Sequence, residues 1–175
     1  MKRILSFLLT LVFLTSCQIV DLNATIPVFD TGIDPDSWVV IPAGEFLKGQ
    51  FNEEAGIDYD YEIMITPVTN AQYALFLNEV LESQKAALVE NQLVGPYPGD
   101  TFNAFRHEEE IPAGDYLYIN IDEPALRLTY SGSTFTAKEG YENHPMTMVS
   151  WFGAKAYCEF YGWGLPTELE WEKAA

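Results

Sequence analysis

The chain has 175 residues and a formal net charge of −17 at neutral pH. That charge excludes nucleic acid as a partner, because phosphates demand a basic surface, and it equally excludes adhesion to anionic lipid heads. With 48% apolar and 14% aromatic residues, the composition is that of a globular core and not of a disordered chain; the length suits one domain after a leader.

The leader comes first. Lys2 and Arg3 make a basic start, and residues 4–14 are an apolar run broken by Ser6 and Thr10. Small residues follow in Leu14-Thr15-Ser16-Cys17. That order describes a secretory signal. About ten apolar residues cannot cross a hydrocarbon core that needs about twenty. The Leu-x-Ser-Cys ending resembles a bacterial lipobox. The resemblance implies cleavage before Cys17 and acyl chains on that residue; the alternative is an ordinary signal peptide with Cys17 as a bystander. Two or more acyl chains anchor a protein stably. The membrane, reached through this lipid, is the expected partner. The expected location is the bacterial cell envelope, on the periplasmic or surface face.

Residues 18–37 are polar, rich in Asp, Thr and Pro, and without sustained periodicity. They read as a tether with a reach on the order of 25 Å. The organisation expected is therefore a leader over 1–17, a tether over 18–37 and a domain over 38–175. Once Cys17 is used, only Cys158 remains, so the mature segment forms no internal disulfide.

The domain opens with two strands, Trp38–Ile41 and Glu45-Phe46-Leu47, around the turn Pro42-Ala43-Gly44. Asp58, Asp60 and Glu62 alternate with Tyr59, Tyr61 and Ile63, which predicts three carboxylates on one strand face. Clustered oxygens suit a hard cation such as calcium, but a solvated face in a very acidic protein is the simpler reading. Thr69 and Gln72 predict a capping box. Tyr73, Phe76, Leu77, Val80 and Leu81 follow at the spacing of a buried helical face. Residues 92–140 read as irregular, with turns at Gly95-Pro96 and Pro98-Gly99 and a solvated loop at Glu108-Glu109-Glu110. Within them, residues 116–121 alternate as a strand and residues 126–135 read as a hairpin around Ser131-Gly132.

The last stretch, residues 142–175, is the most patterned. Pro145 biases His144 toward extended chain, and Met146-Thr147-Met148-Val149 reads as a short strand. Ser150 is a good N-cap, and Ala154, Tyr157, Cys158 and Tyr161 recur at helical spacing. Gly162 and Gly164 end that helix, and Leu165-Pro166 is a turn. Thr167 with Glu170 is a second capping box, and Trp171 begins a new apolar face. The sequence then stops with no Gly or Pro to end the helix. A truncated gene product is the expectation from that stop.

Single reactive residues are few. Cys158 lies in an apolar helical face beside Glu159, the setting of an inert thiol, whereas reactive cysteines want a positive, partly exposed one. His107 and His144 have no second His, Cys or carboxylate at ligand spacing. No residue is assigned a catalytic, cofactor-binding or metal-binding role; Cys17 is assigned lipidation.

Three segments together resemble a known family. They are WVVIPAGEFLKG from residue 38, EIMITPVTNAQYALF from residue 62, and HPMTMVSW followed by AYC and LPTELEWEKAA from residue 144. They are similar to the formylglycine-generating enzyme family, also called the sulfatase-modifying factor domain, and the likeness covers residues 38–175. Gly164 stands where that family usually has Arg, and Leu169 where it usually has Ala.

The resemblance implies an α+β, C-type-lectin-like fold, loop-rich and here incomplete at the C-terminus. It implies copper and calcium for an intact domain, and none in the chain as given, since the family's catalytic and calcium-binding positions follow the LPTE-x-EW segment. Three functions are consistent with it. The intact gene encodes an envelope sulfatase-modifying-type oxidase or a related metal-dependent oxygenase, or it encodes a non-catalytic binding or scaffold lipoprotein like those of gliding motility; the third reading is that the chain as given is an inactive fragment. For the polypeptide as given, the expectation is no formylglycine-generating activity and weak stability, with Trp151, Trp163 and Trp171 partly exposed.

Overall fold

The computed structural model describes residues 34, 36–104 and 107–175, without the side chains of residues 102–108. Cys17, the leader, most of the tether and the His107 side chain lie outside the described residues.

The core is organised by the longest helix among the described residues, the amphipathic α1 (Asn70–Glu82). Its start follows from Thr69, whose side chain accepts from the Gln72 amide while the Gln72 side chain accepts from the Thr69 amide. This reciprocal box satisfies donors that a bare helix end leaves open. The predicted face is the buried one: Tyr73, Phe76, Leu77 and Val80 are at most 3% exposed. Each such large side chain stabilises the fold by about 1.5–3 kcal/mol on burial. Asn78 then ties the helix to β11 (Phe135–Ala137), donating to the Phe135 carbonyl at 2.9 Å and accepting from the Phe135 amide at 2.7 Å.

Against α1 lie two further elements. The first is the three-stranded sheet β5–β6–β9 (Ala87–Val89, Gln92–Tyr97, Gly114–Asn120), all antiparallel. The second is α2 (Trp151–Phe160), which places Tyr157 between Tyr73 and Phe76 with ring centroids 5.6 and 5.4 Å apart. Leu93, Tyr118, Ile119, Leu126, Leu128 and Phe135 complete this core.

The remaining strands pair in twos. β1 (Trp38–Ile41) pairs with β4 (Tyr61–Met64), and β2 (Gly44–Lys48) with β3 (Glu53–Ile57). β7 (Asp100–Ala104) pairs with β8 (His107–Ile111), and β10 (Leu128–Tyr130) with β11. The last helix is α3 (Glu168–Ala174), started by the Thr167–Glu170 box. Mixed helices and small antiparallel sheets joined by long connections make an α+β, loop-rich architecture.

The first two strands form where expected, and the turn between them joins different sheets, with β1 paired to β4 and β2 to β3. Several local expectations are corrected. Asp58 and Asp60 sit in the connection before β4, and Asp60 accepts from the Ala43 amide at 2.7 Å. The three carboxylates therefore do not share a strand face. Gly95 and Pro96 lie within β6, not in a turn. A side chain at Gly95 would place its Cβ 2.3 Å from the Tyr118 hydroxyl, so glycine here makes room for a ring. Glu108, Glu109 and Glu110 belong to strand β8. Residues 146–149 form no strand: Met148 adopts a φ of 60°, and the segment contributes one isolated bridge, Ile119 to Val149. Left-handed backbone at a residue with a Cβ interrupts extended chain.

Candidate functional site

The patterned C-terminal stretch builds one wall of an apolar groove. Ser150 caps α2 by accepting from the Gly153 amide at 3.0 Å. α2 ends in a Schellman arrangement, with Trp163 N–H donating to the Cys158 carbonyl at 2.8 Å and Gly162 N–H to the Glu159 carbonyl at 3.1 Å. Such an end reverses the chain sharply. Trp163 thereby swings back to meet Trp38 edge-on, with centroids 4.9 Å apart. Leu165-Pro166 then carries the chain to Thr167 and α3.

α3 buries no residue of its own, and polar bonds hold it in place. Tyr61 O–H donates to the Glu170 carbonyl at 2.5 Å, and Tyr59 O–H to the Glu170 carboxylate at 2.9 Å. Lys173 donates to the Pro42 and Gly44 carbonyls at 2.6 and 2.9 Å, and the Gly49 amide donates to the Glu172 carboxylate. Between this helix, the end of α2 and the β1–β4 sheet lies a groove of about 790 Å³. Trp38, Ile65, Cys158, Trp163 and Trp171 line it.

The chemistry of its side chains is quiet. Burial, reinforced by Glu159, pushes the Cys158 thiol above its ordinary value, against a smaller opposing effect of Lys155. A protonated thiol is a poor nucleophile and metal ligand. The Thr167 amide, with help from the Thr167 and Tyr59 hydroxyls, holds the Glu170 carboxyl below its ordinary value. Burial raises Tyr157 well above the ordinary phenol range. His144 acts through its backbone: its carbonyl accepts from Asn70, and its ring lies 5.2 Å from that of Tyr141. Among the described residues, no three His, Cys, Asp or Glu side chains are placed to hold a metal ion. Copper favours thiolate or imidazole donors and calcium a cage of oxygens, so the described residues do not fit either ion.

The motif residues are thus found as caps, a turn and packed rings. Trp151, Trp163 and Trp171 are 51%, 37% and 61% exposed. The sequence reading missed the polar ties of α3 to Tyr59, Tyr61, Pro42 and Gly44. These partners stand 109 to 131 residues apart, and no local pattern signals them.

Comparison with known proteins places the chain. The model of the sulfatase-modifying factor enzyme 1-like domain matches residues 26–175. That of the prokaryotic membrane lipoprotein lipid attachment site matches residues 1–18 and supports lipid anchoring to the membrane. No described helix is long and apolar enough to cross a membrane. The chain is 30% identical over 153 residues to the formylglycine-generating enzyme of Streptomyces coelicolor, covering 78% of this chain and 46% of that protein. It is 28% identical over 193 residues to hercynine oxygenase of Mycolicibacterium smegmatis, covering 91% of this chain and 38% of that protein. Over 49 residues it is 43% identical to the serine/threonine-protein kinase pkn1 of Chlamydia pneumoniae, which is 28% of this chain and 8% of that protein. The chain spans less than half the length of these curated relatives. No solved structure matches it. The α+β architecture is consistent with the C-type-lectin-like fold of the matched domain. The chain belongs to the sulfatase-modifying factor enzyme 1-like family.

Proposed function

We propose that this chain is an envelope lipoprotein held by acyl chains on Cys17, with a tether over residues 18–37 and a sulfatase-modifying factor-like domain over residues 38–175. In this reading the polypeptide has no formylglycine-generating activity of its own. The observation that supports it is the use made of the motif residues. Ser150, Thr167 and Glu170 are committed to caps, Tyr157 is in the core, and Cys158 keeps its proton. None of these groups is poised to take up or release a proton near neutral pH. The test is incubation of the purified chain with copper, oxygen and a Cys-x-Pro-x-Arg peptide. The expected result is an unchanged peptide mass; aldehyde formation sinks this reading.

A binding or scaffold role in the envelope is the second reading, and the exposed groove favours it. An apolar surface rimmed by polar groups commonly marks an interaction site. Binding of a partner at this face, abolished by a substitution such as Trp171→Ala, is the result that supports it over an oxidase role.

A further inference from the structure

The chain enters the domain through a fastened strap. The Asp36 amide donates to the Asp34 carboxylate and the Ser37 amide to the Asp34 carbonyl, both at 3.0 Å. Asp36 then accepts from the Gln72 side-chain amide at 2.6 Å. The oxygen of that same side chain accepts from the Thr69 amide at 2.8 Å. The strap is therefore bonded to the residue that closes the capping box of α1. Asp36 and Gln72 stand 36 residues apart, so the bond is tertiary structure and not a local turn. The Ser37 carbonyl adds a second tie, accepting from the Ile65 amide just past β4 at 3.0 Å. The matched family model also begins ahead of the strap, at residue 26.

A fixed point of entry limits how the domain sits on a bilayer. What is left for a tether is at most residues 18–33. A polar chain of that length reaches on the order of 22 Å, of which about 13 Å falls along the membrane normal. α1 starts at the strap and runs for 13 residues, a length of about 20 Å. Turning its far end to the lipid stretches the tether past its mean reach along the normal, and the bilayer excludes any pose that buries the domain. The start of α1 is the end that is held down.

We propose that Asp34, Asp36 and Ser37 fix the lipid tether to the start of α1, so that this end of the domain faces the membrane and the Glu82 end of α1 faces away. The loop bound beside the strap faces the membrane with it, since Asn70 and Ala71 donate to the His144 and Glu142 carbonyls. This face needs no affinity for lipid; its nearness comes from the anchor. The inference rests on the acylation of Cys17 in the reading above.

The experiment places the acylated full chain in phosphatidylcholine vesicles whose headgroups carry a quencher. Cys158→Ala removes the second thiol, and a fluorophore is attached through Glu142→Cys or Glu82→Cys, both at exposed positions. Quenching is expected to be at least about 2-fold stronger at residue 142, and a Gly/Ser insertion that doubles the tether narrows the gap. Asp36→Ala is expected to lower the protection of the first-turn amides of α1 against hydrogen exchange; the residue is exposed, so the variant folds. Equal quenching at the two positions, stronger quenching at residue 82, or unchanged protection in Asp36→Ala each overturns the proposal. Quenching of neither label overturns it as well, and the mass of the N-terminal peptide from the same sample shows whether the anchor reading fails with it.

Discussion

Asn70 and His144 are 74 residues apart in sequence, yet the Asn70 side-chain amide donates to the His144 carbonyl at 3.0 Å and the Asn70 backbone N–H donates to the same oxygen at 2.9 Å. The side chain also donates to the Tyr141 carbonyl at 2.9 Å and is fully buried. This latch joins the start of α1 to the loop that leads into α2, so it sets how the two core helices meet.

Asn70→Ala removes the donor and leaves buried carbonyls short of a partner, at a cost of about 1–3 kcal/mol. Asn70→Asp costs more, because it turns an acceptor oxygen toward acceptors in a buried site. Urea unfolding of the two variants checks the order. An aspartate variant as stable as the parent is incompatible with the latch.

Gly153 distinguishes packing from propensity. Helix propensity alone predicts that Gly153→Ala stabilises α2 by about 1 kcal/mol. An added Cβ, however, would lie 2.7 Å from the Tyr73 hydroxyl and 2.9 Å from the Tyr118 backbone. Backbone atoms in a packed core yield poorly, and such overpacking costs about 1–3 kcal/mol. The expected outcome is net destabilisation, seen as a lower midpoint in denaturant. A raised midpoint shows that α2 sits further from β9 than described.

The α3 cap depends on pH. The Glu170 carboxyl is held below its ordinary value by the Thr167 amide. A lowered folded-state pKa means that the stabilisation is complete above the ordinary carboxylate range. It is lost as pH falls through the lowered value. The protection of the α3 amides, measured against their intrinsic exchange rates, is therefore expected to fall at acid pH. Glu170→Gln flattens that dependence, and Thr167→Ala speeds exchange at every pH by loss of a cap worth about 1 kcal/mol. The global midpoint moves less, since α3 buries no residue of its own.

Tyr97 titrates late. Its hydroxyl donates to the Asp100 carboxylate, which, with burial adding to it, pushes the phenol up to about 12 from an ordinary 10.0. A raised folded-state pKa keeps the bond intact below the ordinary value and loses it as pH rises through about 12. Phenolate absorbance is expected to show one late-titrating tyrosine fewer in Tyr97→Phe. An unchanged titration curve in that variant rules out the Asp100 bond.

The sequence made the helices plain and the sheet partners obscure. Thr69 with Gln72, Ser150, and Thr167 with Glu170 act within one turn of chain, so their spacing carries the whole signal. The face of α1 repeats every turn, and burial follows it residue by residue. Alternation, by contrast, marks a strand without naming its partner. That is why β1 is legible as a strand although nothing near it names β4 as its partner. Gly95-Pro96 carries the local chemistry of a turn, yet Tyr118 across the sheet decides the matter. The groove was legible only as separate aromatics. Trp38 and Trp163 lie far apart in the chain, and nothing near either one announces their contact.

The central claim is the proposal that the domain is held to a membrane through Cys17, which lies within the residues 1–18 matched by the lipid attachment site model. Mass spectrometry of the N-terminal peptide from the membrane-extracted protein tests it most directly. The account predicts a chain that begins at Cys17 and carries at least two acyl chains, with Cys17→Ala released from the membrane fraction. An unmodified Cys17, or a mature chain that begins at another residue, contradicts it.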